Sequence, residues 1–444
     1  MSVRHLLAAL LTTVALAAPA VPALAQPGPT PQQLVDGLRH AATTPPGNLV
    51  ASYDPFYDDP VPALGAPGTK LRTQPAPHLL NILGPDFPGY AEKILYTSTT
   101  VHGEPIATSG VVIQPAQPWR GKGPTPTVVF APGTRGSGDV CAPSRGPWMT
   151  AQLDVLAPAL GFNYELPNYT AAALLGMRVV VVDYIGLGTP GAHTYVLHDE
   201  EARAVLDAAR AVVPAGEPVA FYGYSQGGGA VAAAAELQPT YAPELNLKGT
   251  FAGAPPADLF ATMQGVDNSL ITAVLGYALN GWVQRYPHLR ATVEPLLNER
   301  GREFVHSTAN SCMPDGALRW ALTDTRSLTT TGESLAQIAT RLPELSALFD
   351  SQQLGRRPFS APIMVSTGGN DDLVPSPQVV QLARDYCAAG MNVNLLNENI
   401  PPLTPTIKIG INHGVGIFTQ SFPSMQWIYD RFNDVPVTSN CGTF

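Results

Sequence analysis

Ser225 lies between two glycines in Gly223-Tyr224-Ser225-Gln226-Gly227. That spacing suits a turn too tight for bulky residues two positions away on either side. An apolar strand-like run, Pro218 to Gly223, leads into the turn, and the Ala-rich run Ala230 to Leu237 follows it as a small-residue helix. Strand, sharp turn and helix make the nucleophile elbow, in which strained backbone lifts a serine hydroxyl clear and aims a helix N-terminus at the group it attacks. With 41 glycines in 444 residues, chance alone supplies about 0.17 such patterns. A plain glycine-rich turn is the bland alternative, so the motif counts only if chemical partners accompany it.

A serine hydroxyl is a weak nucleophile near neutral pH and needs a base to take its proton, plus a carboxylate to orient that base. In one arrangement the partners follow the serine in the order acid, then histidine, each at the carboxyl end of a strand. Of nine histidines only His413 lies after Asp371, in a Gly-flanked segment behind the last expected strand. It is read as a loop residue and the base. His193 and His198 precede the elbow, His288 and His306 fall in a helical region, and all four read as structural or surface residues. Asp371 and Asp372 are adjacent, so one can face the histidine while the other caps a helix or faces water. For the negative charge that develops on an attacked carbonyl oxygen, the elbow itself offers the Gln226 N–H. A second donor falls to Gly133 or Thr134, because Pro132 has no N–H. Thr134 is preferred, since its hydroxyl could add a bond.

The elements around these residues alternate in kind. Glu92 to Thr99 and Pro105 to Gln114 read as a hairpin, Thr127 to Ala131 as a buried strand entering Pro132-Gly133-Thr134-Arg135-Gly136-Ser137-Gly138, and Met177 to Tyr184 as a central parallel strand. Asp199 to Val213 reads as a helix whose acidic first turn (Asp199, Glu200, Glu201) favours the dipole. After the elbow comes a strand near Leu247 to Gly253. The alternation implies a parallel α/β sheet. It stops at Ala254-Pro255-Pro256, and Asp258 to about Arg357 reads as helical: Asp258 to Met263, Leu270 to Trp282, Leu289 to Phe304, Gly316 to Leu322 and Ser334 to Leu342. The run Leu270 to Trp282 is apolar on nearly every face, which fits either a buried core helix or the wall of an acyl site. The sheet resumes at Pro362 to Thr367 and Val393 to Leu396, and a helix over about Phe418 to Phe432 ends the chain.

Composition narrows the partners. Apolar content of 45% with 13% charge supports a large core, and the net charge of -9 without a basic run argues against nucleic acid. Residues 1–25 read as a secretory signal peptide: Arg4 and His5, apolar Leu6 to Ala18, and small residues at Ala23-Leu24-Ala25 before Gln26. No later segment has eighteen uninterrupted apolar residues, so no transmembrane segment is expected, and the product is expected to be secreted, extracellular or in the cell envelope. In that oxidising setting Cys141, Cys312, Cys387 and Cys441 read as two disulfides with three pairings open. Their wide spacing speaks against a metal site. No cofactor is called for. Residues 26 to about 78, rich in Pro and Gly, read as an extended segment docked through Phe56 and Tyr57.

The combination resembles the secretory lipase family of the α/β-hydrolase superfamily over most of the chain. The matching stretches are Asp54-Pro55-Phe56-Tyr57, Pro67-Gly68-Thr69, Ala131-Pro132-Gly133-Thr134, Cys141-Ala142-Pro143-Ser144, Asp183 to Gly188, the elbow, Asp371-x-x-Val374-Pro375 and His413-Gly414. The resemblance implies an α/β-hydrolase core (26–256 and 358–444), mostly parallel with helices on both faces, and a helical cap inserted at 257–357. It implies hydrolysis of carboxylic esters including triacylglycerols, with Ser225, Asp371 and His413 as nucleophile, acid and base. It also implies the pairings Cys141–Cys312 and Cys387–Cys441. One departure is that a family member carries aspartate at the second oxyanion position, where this loop reads Gly133-Thr134. The expected partner is an acyl ester or lipid substrate, with transient contact between the cap and a lipid interface. Acyl transfer to, or deacylation of, a cell-envelope glycolipid would use the same residues. A smaller cutinase-type chain would lack the insertion, a peptidase would turn over amides, and a silent binding protein on the same fold should have lost one of the three side chains.

Overall fold

The computed structural model describes residues 54–76, 88–145, 151–154 and 159–444. The expected signal peptide over 1–25, its cleavage position near Gln26 and most of the Pro-rich segment after it lie outside the described residues. Eleven strands are present among the described residues: β1 (Lys70–Pro75), β2 (Gly89–Thr99), β3 (Pro105–Pro115), β4 (Thr127–Ala131), β5 (Ala151–Asp154), β6 (Ala159–Phe162), β7 (Arg178–Tyr184), β8 (Pro218–Tyr224), β9 (Asn246–Gly253), β10 (Ile363–Gly368) and β11 (Val393–Glu398). Nine form one sheet in the order β1-β2-β3-β7-β4-β8-β9-β10-β11, and β5 and β6 make a separate ribbon. The β1, β2 and β3 pairings are antiparallel, and every pairing from β7 to β11 is parallel. This is the α/β-hydrolase architecture. β1 falls within the stretch read as extended and Pro-rich.

Period-two alternation explains why the central strands read as continuous apolar runs. Val180 and Val182 belong to one apolar core while Val179 and Val181 belong to another on the opposite sheet face. Each is fully buried. Parallel strands covered on both faces need apolar side chains at every position, and β-branched valine suits the pleat. Helices supply the cover. α1 (Leu166–Leu174) packs on one face, while α2 (His198–Val212) and α3 (Gln226–Tyr241) pack on the other. Every residue of α3 from 230 to 235 is buried, and all but Val231 are alanine, small side chains that let the helix lie close to the sheet.

Between β9 and β10 run seven helices and no strand: α4 (Leu259–Val266), α5 (Val274–Arg285), α6 (Leu289–Val293), α7 (Glu299–Thr308), α8 (Met313–Trp320), α9 (Leu335–Arg341) and α10 (Pro343–Ser351). One helix over 289–304 is expected from the sequence, but the chain breaks there. Pro295 has no N–H to continue a helix, the chain passes through a 3₁₀ turn at Glu294–Leu296, and Asn298 starts α7 by accepting from the Gly301 N–H (2.9 Å). The sequence reading ends its last helix of this region at Leu342 and has no counterpart to α10, which Pro343 opens at the first helical position, where a missing N–H costs nothing. After β10 come α11 (Ser376–Ala388), α12 (Ile411–Thr419) and α13 (Ser421–Phe432). The single C-terminal helix expected from about 418 is therefore two, and His413 lies inside α12 rather than in a loop.

Phe56 and Tyr57 are buried, as the docking reading expects. The Tyr57 hydroxyl donates to the Ser144 carbonyl oxygen (2.7 Å), and the Arg145 guanidinium lies 4.4 Å from the centre of its ring.

Candidate active site

The elbow is held by backbone on three sides. Ser225 has φ 59° and ψ -123°, a region that costs about 1–3 kcal/mol for a residue with a side chain. Its N–H donates to the Gly253 carbonyl oxygen at the end of β9 (2.8 Å). A Cβ at Gly227 would stand 1.9 Å from the Ala131 carbonyl oxygen, and one at Gly223 would stand 2.2 Å from that of Gly227. Only glycine lets β4, β8 and α3 approach this closely.

The two adjacent acids do different work. Asp371 presents Oδ2 to Nδ1 of His413 at 2.7 Å, and its Oδ1 accepts from the N–H groups of Leu373 (2.9 Å) and Val374 (2.8 Å). The Asp372 carboxylate instead accepts from the N–H groups of Gly410 (2.8 Å) and His413 (3.0 Å). It supplies the N-terminal cap of α12 from another loop, where a carboxylate also meets the positive end of the helix dipole. That capping, with Gly410 left-handed at φ 75°, is why a helix begins where glycines suggested a loop. The Tyr224 hydroxyl donates to the His413 carbonyl oxygen (2.9 Å). Burial works against a charged His413 ring, but the carboxylates of Asp371 and Asp372 outweigh it and raise its pKa above the ordinary imidazole value.

Ser225, His413, Gln226 and Thr134 line one cavity. Among the described residues the Ser225 hydroxyl makes no hydrogen bond to the imidazole. The cavity extends from this polar end along α4 and α5 to α6, α9 and α10, past Leu259, Val274, Trp282, Leu289, Ile338 and Leu345. α5 reconciles the two readings of its all-round apolarity. Val274, Ala278 and Trp282 face the cavity, while Tyr277 is fully buried in a core with Phe304 and Trp320.

The N–H groups at the start of α3 precede its first i→i−4 bond, from the Gly229 N–H to the Ser225 carbonyl oxygen (3.1 Å). Gln226 is the first residue of that helix and its N–H is among the four free donors of a helix start. The Gly133 N–H is engaged: it donates to Glu165 Oε2 at 3.0 Å. Thr134 is held through both chains of atoms, its hydroxyl bonded to the Tyr195 hydroxyl (2.7 Å) and its carbonyl oxygen accepting from Tyr164 (3.2 Å). Burial pushes the Glu165 carboxyl up to about 7. Sequence reasoning gave neither Glu165 nor Tyr195 a part. His193 and His198 are fully buried in structural contacts, as read, and His288 pairs with Glu344 on the surface (2.9 Å). Among the described residues no cluster of three or more His, Cys, Asp or Glu could hold a metal.

The disulfides are Cys141–Cys312 and Cys387–Cys441. The first joins the loop after β4 to the helical segment, and a β-bridge between Gly136 and Cys312 reinforces the joint. Among the described residues no helix is long and apolar enough to cross a membrane.

A family model described as secretory lipase matches residues 155–440. A probable inactive lipase of Mycobacterium tuberculosis is 29% identical over 400 residues, covering 88% of this chain and 84% of that protein. A secreted triacylglycerol lipase of Malassezia globosa is 26% identical over 413 residues, covering 88% and 84%. Among solved structures, Candida antarctica lipase A is similar with a TM-score of 0.70 at 20% identity over 88% of both chains. A rice cell wall degrading esterase of Xanthomonas oryzae is similar with a TM-score of 0.65 at 19% identity over 83% of this chain and 100% of the other. At those identities the structural likeness speaks to the fold.

Proposed function

The chain belongs to the secretory lipase family and is a carboxylic-ester hydrolase, and we propose that it works as a secreted triacylglycerol lipase or esterase through an acyl-enzyme on Ser225. The observation that carries this is the Asp371–His413 pair, 2.7 Å apart, which opens with Ser225 onto one apolar cavity. His413 Nε2 takes the Ser225 proton as Oγ attacks the ester carbonyl. Asp371 keeps the other ring proton on Nδ1 and stabilises the imidazolium that forms. The Gln226 N–H and Thr134 receive the carbonyl oxygen as it becomes negative. Imidazolium then returns the proton to the departing alkoxide, which leaves as the alcohol. Water, deprotonated by the same ring, releases the acid and restores the hydroxyl.

In this reading residues 257–357 form a cap over the serine. Its helices α4, α5, α6, α9 and α10 supply the wall for the acyl chain, and its outer surface is the part that meets a lipid interface. Residues 1–25 direct export and are removed near Gln26. The residues present also argue against a silent protein: serine, acid and histidine are all in place, although one relative bears the name inactive. Turnover of p-nitrophenyl esters of graded chain length, measured beside Ser225→Ala, tests the scheme. The expected result is hydrolysis by the parent and a loss of roughly 10⁶-fold in the variant. Equal turnover by both would overturn it.

A further inference from the structure

Glu201 was expected to do no more than favour the dipole of α2, yet it is 1% exposed and its carboxyl faces the elbow. Oε1 accepts from the side-chain amide of Gln226 (2.7 Å) and from the Val196 N–H (2.9 Å). The same Gln226 amide nitrogen lies 2.9 Å from Nε2 of His193, whose Nδ1 faces the Ile185 carbonyl oxygen at 3.2 Å. A carbonyl oxygen only accepts, so the proton sits on Nδ1 and Nε2 accepts from Gln226.

Val196 adds an independent observation. Its φ is 52°, a left-handed conformation that a β-branched residue adopts only when its surroundings compel it. That strained residue follows Tyr195, whose hydroxyl holds Thr134 and whose carbonyl oxygen accepts from the Trp282 indole N–H (2.9 Å). One carboxyl thus grips, on one side, the residue whose N–H starts α3 and, on the other, the turn that aims Tyr195 at Thr134.

We propose that Glu201 is a positioning residue that sets both oxyanion donors, Gln226 directly and Thr134 through Val196 and Tyr195. This rests on the reading of Ser225 as nucleophile. Burial pushes the Glu201 carboxyl up to about 8, so near neutral pH a neutral glutamine reproduces much of its character. The donors matter only once the carbonyl oxygen turns negative, so their displacement lowers kcat and kcat/KM together and leaves KM in place.

The test compares Glu201→Ala and Glu201→Gln with the parent on a water-soluble p-nitrophenyl ester, and measures inhibition by an alkyl trifluoromethyl ketone, which forms a tetrahedral oxyanion on the serine. Glu201→Ala is expected to lose about 10- to 100-fold in kcat and the same factor in ketone affinity, with KM unchanged. Glu201→Gln is expected to restore most of both. Should Glu201→Ala fail to fold, Gln226→Met removes the same anchor while keeping the backbone N–H, and is expected to show the same loss. Unchanged kcat and ketone affinity in Glu201→Ala, or in Gln226→Met, overturns the proposal, as does a rise in KM at constant kcat. Ser225→Ala run alongside separates the two readings: if it still turns over ester the nucleophile assignment fails and this proposal with it, whereas if it is dead while Glu201→Ala is fully active only the positioning role fails.

Discussion

At the scale of single residues, the Asp371–His413 contact makes activity and stability respond to pH in opposite senses. Burial alone would lower the His413 pKa, but the neighbouring carboxylates of Asp371 and Asp372 raise it. The base must be neutral to act, so the acid limb of kcat/KM is expected above the ordinary histidine value of about 6.5. A group whose folded pKa is raised contributes stability that is complete below its unfolded pKa and is lost as pH rises through its folded pKa. Thermal stability should therefore fall through the range in which activity climbs. Asp371→Asn is expected to cut kcat roughly 10⁴-fold, shift the acid limb downward and abolish that pH-dependent stability. An unchanged limb in the variant would contradict the pairing. Ser225, the acidic pair and His413 were singled out by position rather than by type: one glycine-flanked serine at a strand-to-helix turn, and one histidine behind the adjacent acids. Glu165, Glu201 and Tyr195 were not, because a buried acid at or near a helix start reads in one dimension like a surface acid, and the hydroxyl that Tyr195 meets lies 61 positions away.

At the scale of elements, the same adjacent acids separate by what each holds. Asp372 caps α12 through two N–H groups, and a lost cap costs about 0.5–2 kcal/mol. Asp372→Ala is accordingly expected to lower stability to urea by that amount, and to reduce kcat far less than Asp371→Asn does. If the two variants lost activity equally, the division of labour drawn here would be wrong. The strands of the main sheet from β2 to β11 were legible to within a few residues, since unbroken Val179 to Val182 suits a strand covered on both faces, whereas β1 and the β5–β6 ribbon were not read as strands. Helix ends were not. Local sequence carries no trace of a cap supplied from 38 positions away, so the start of α12 looked like a loop, and the helix that Pro343 opens was not read at all.

For the molecule as a whole, some of the stretches that suggested the family, those around Tyr57, Ser144 and Asp183, meet in one buried cluster. Asp183 accepts from the Ser109 hydroxyl (2.7 Å) and the Ser144 N–H (3.0 Å), Arg145 pairs with Asp58 (2.9 Å), and Tyr57 rests against both Ser144 and Arg145. This buried cluster anchors the stretch that ends the loop from Pro132, and the Cys141–Cys312 disulfide ties the same stretch to the helical segment. Sequence motifs could signal that these parts belong together, whereas their meeting point depends on a sheet order that places β7 beside β3 and β4. The account stands on a serine near mid-chain being acylated with help from a histidine almost 190 positions later. The most direct measurement is the mass of the intact protein after reaction with a p-nitrophenyl alkylphosphonate, followed by peptide mapping. One adduct per chain on Ser225, absent from Ser225→Ala, is the predicted result. A protein that hydrolyses esters yet carries its adduct on another residue, or none, would contradict the account.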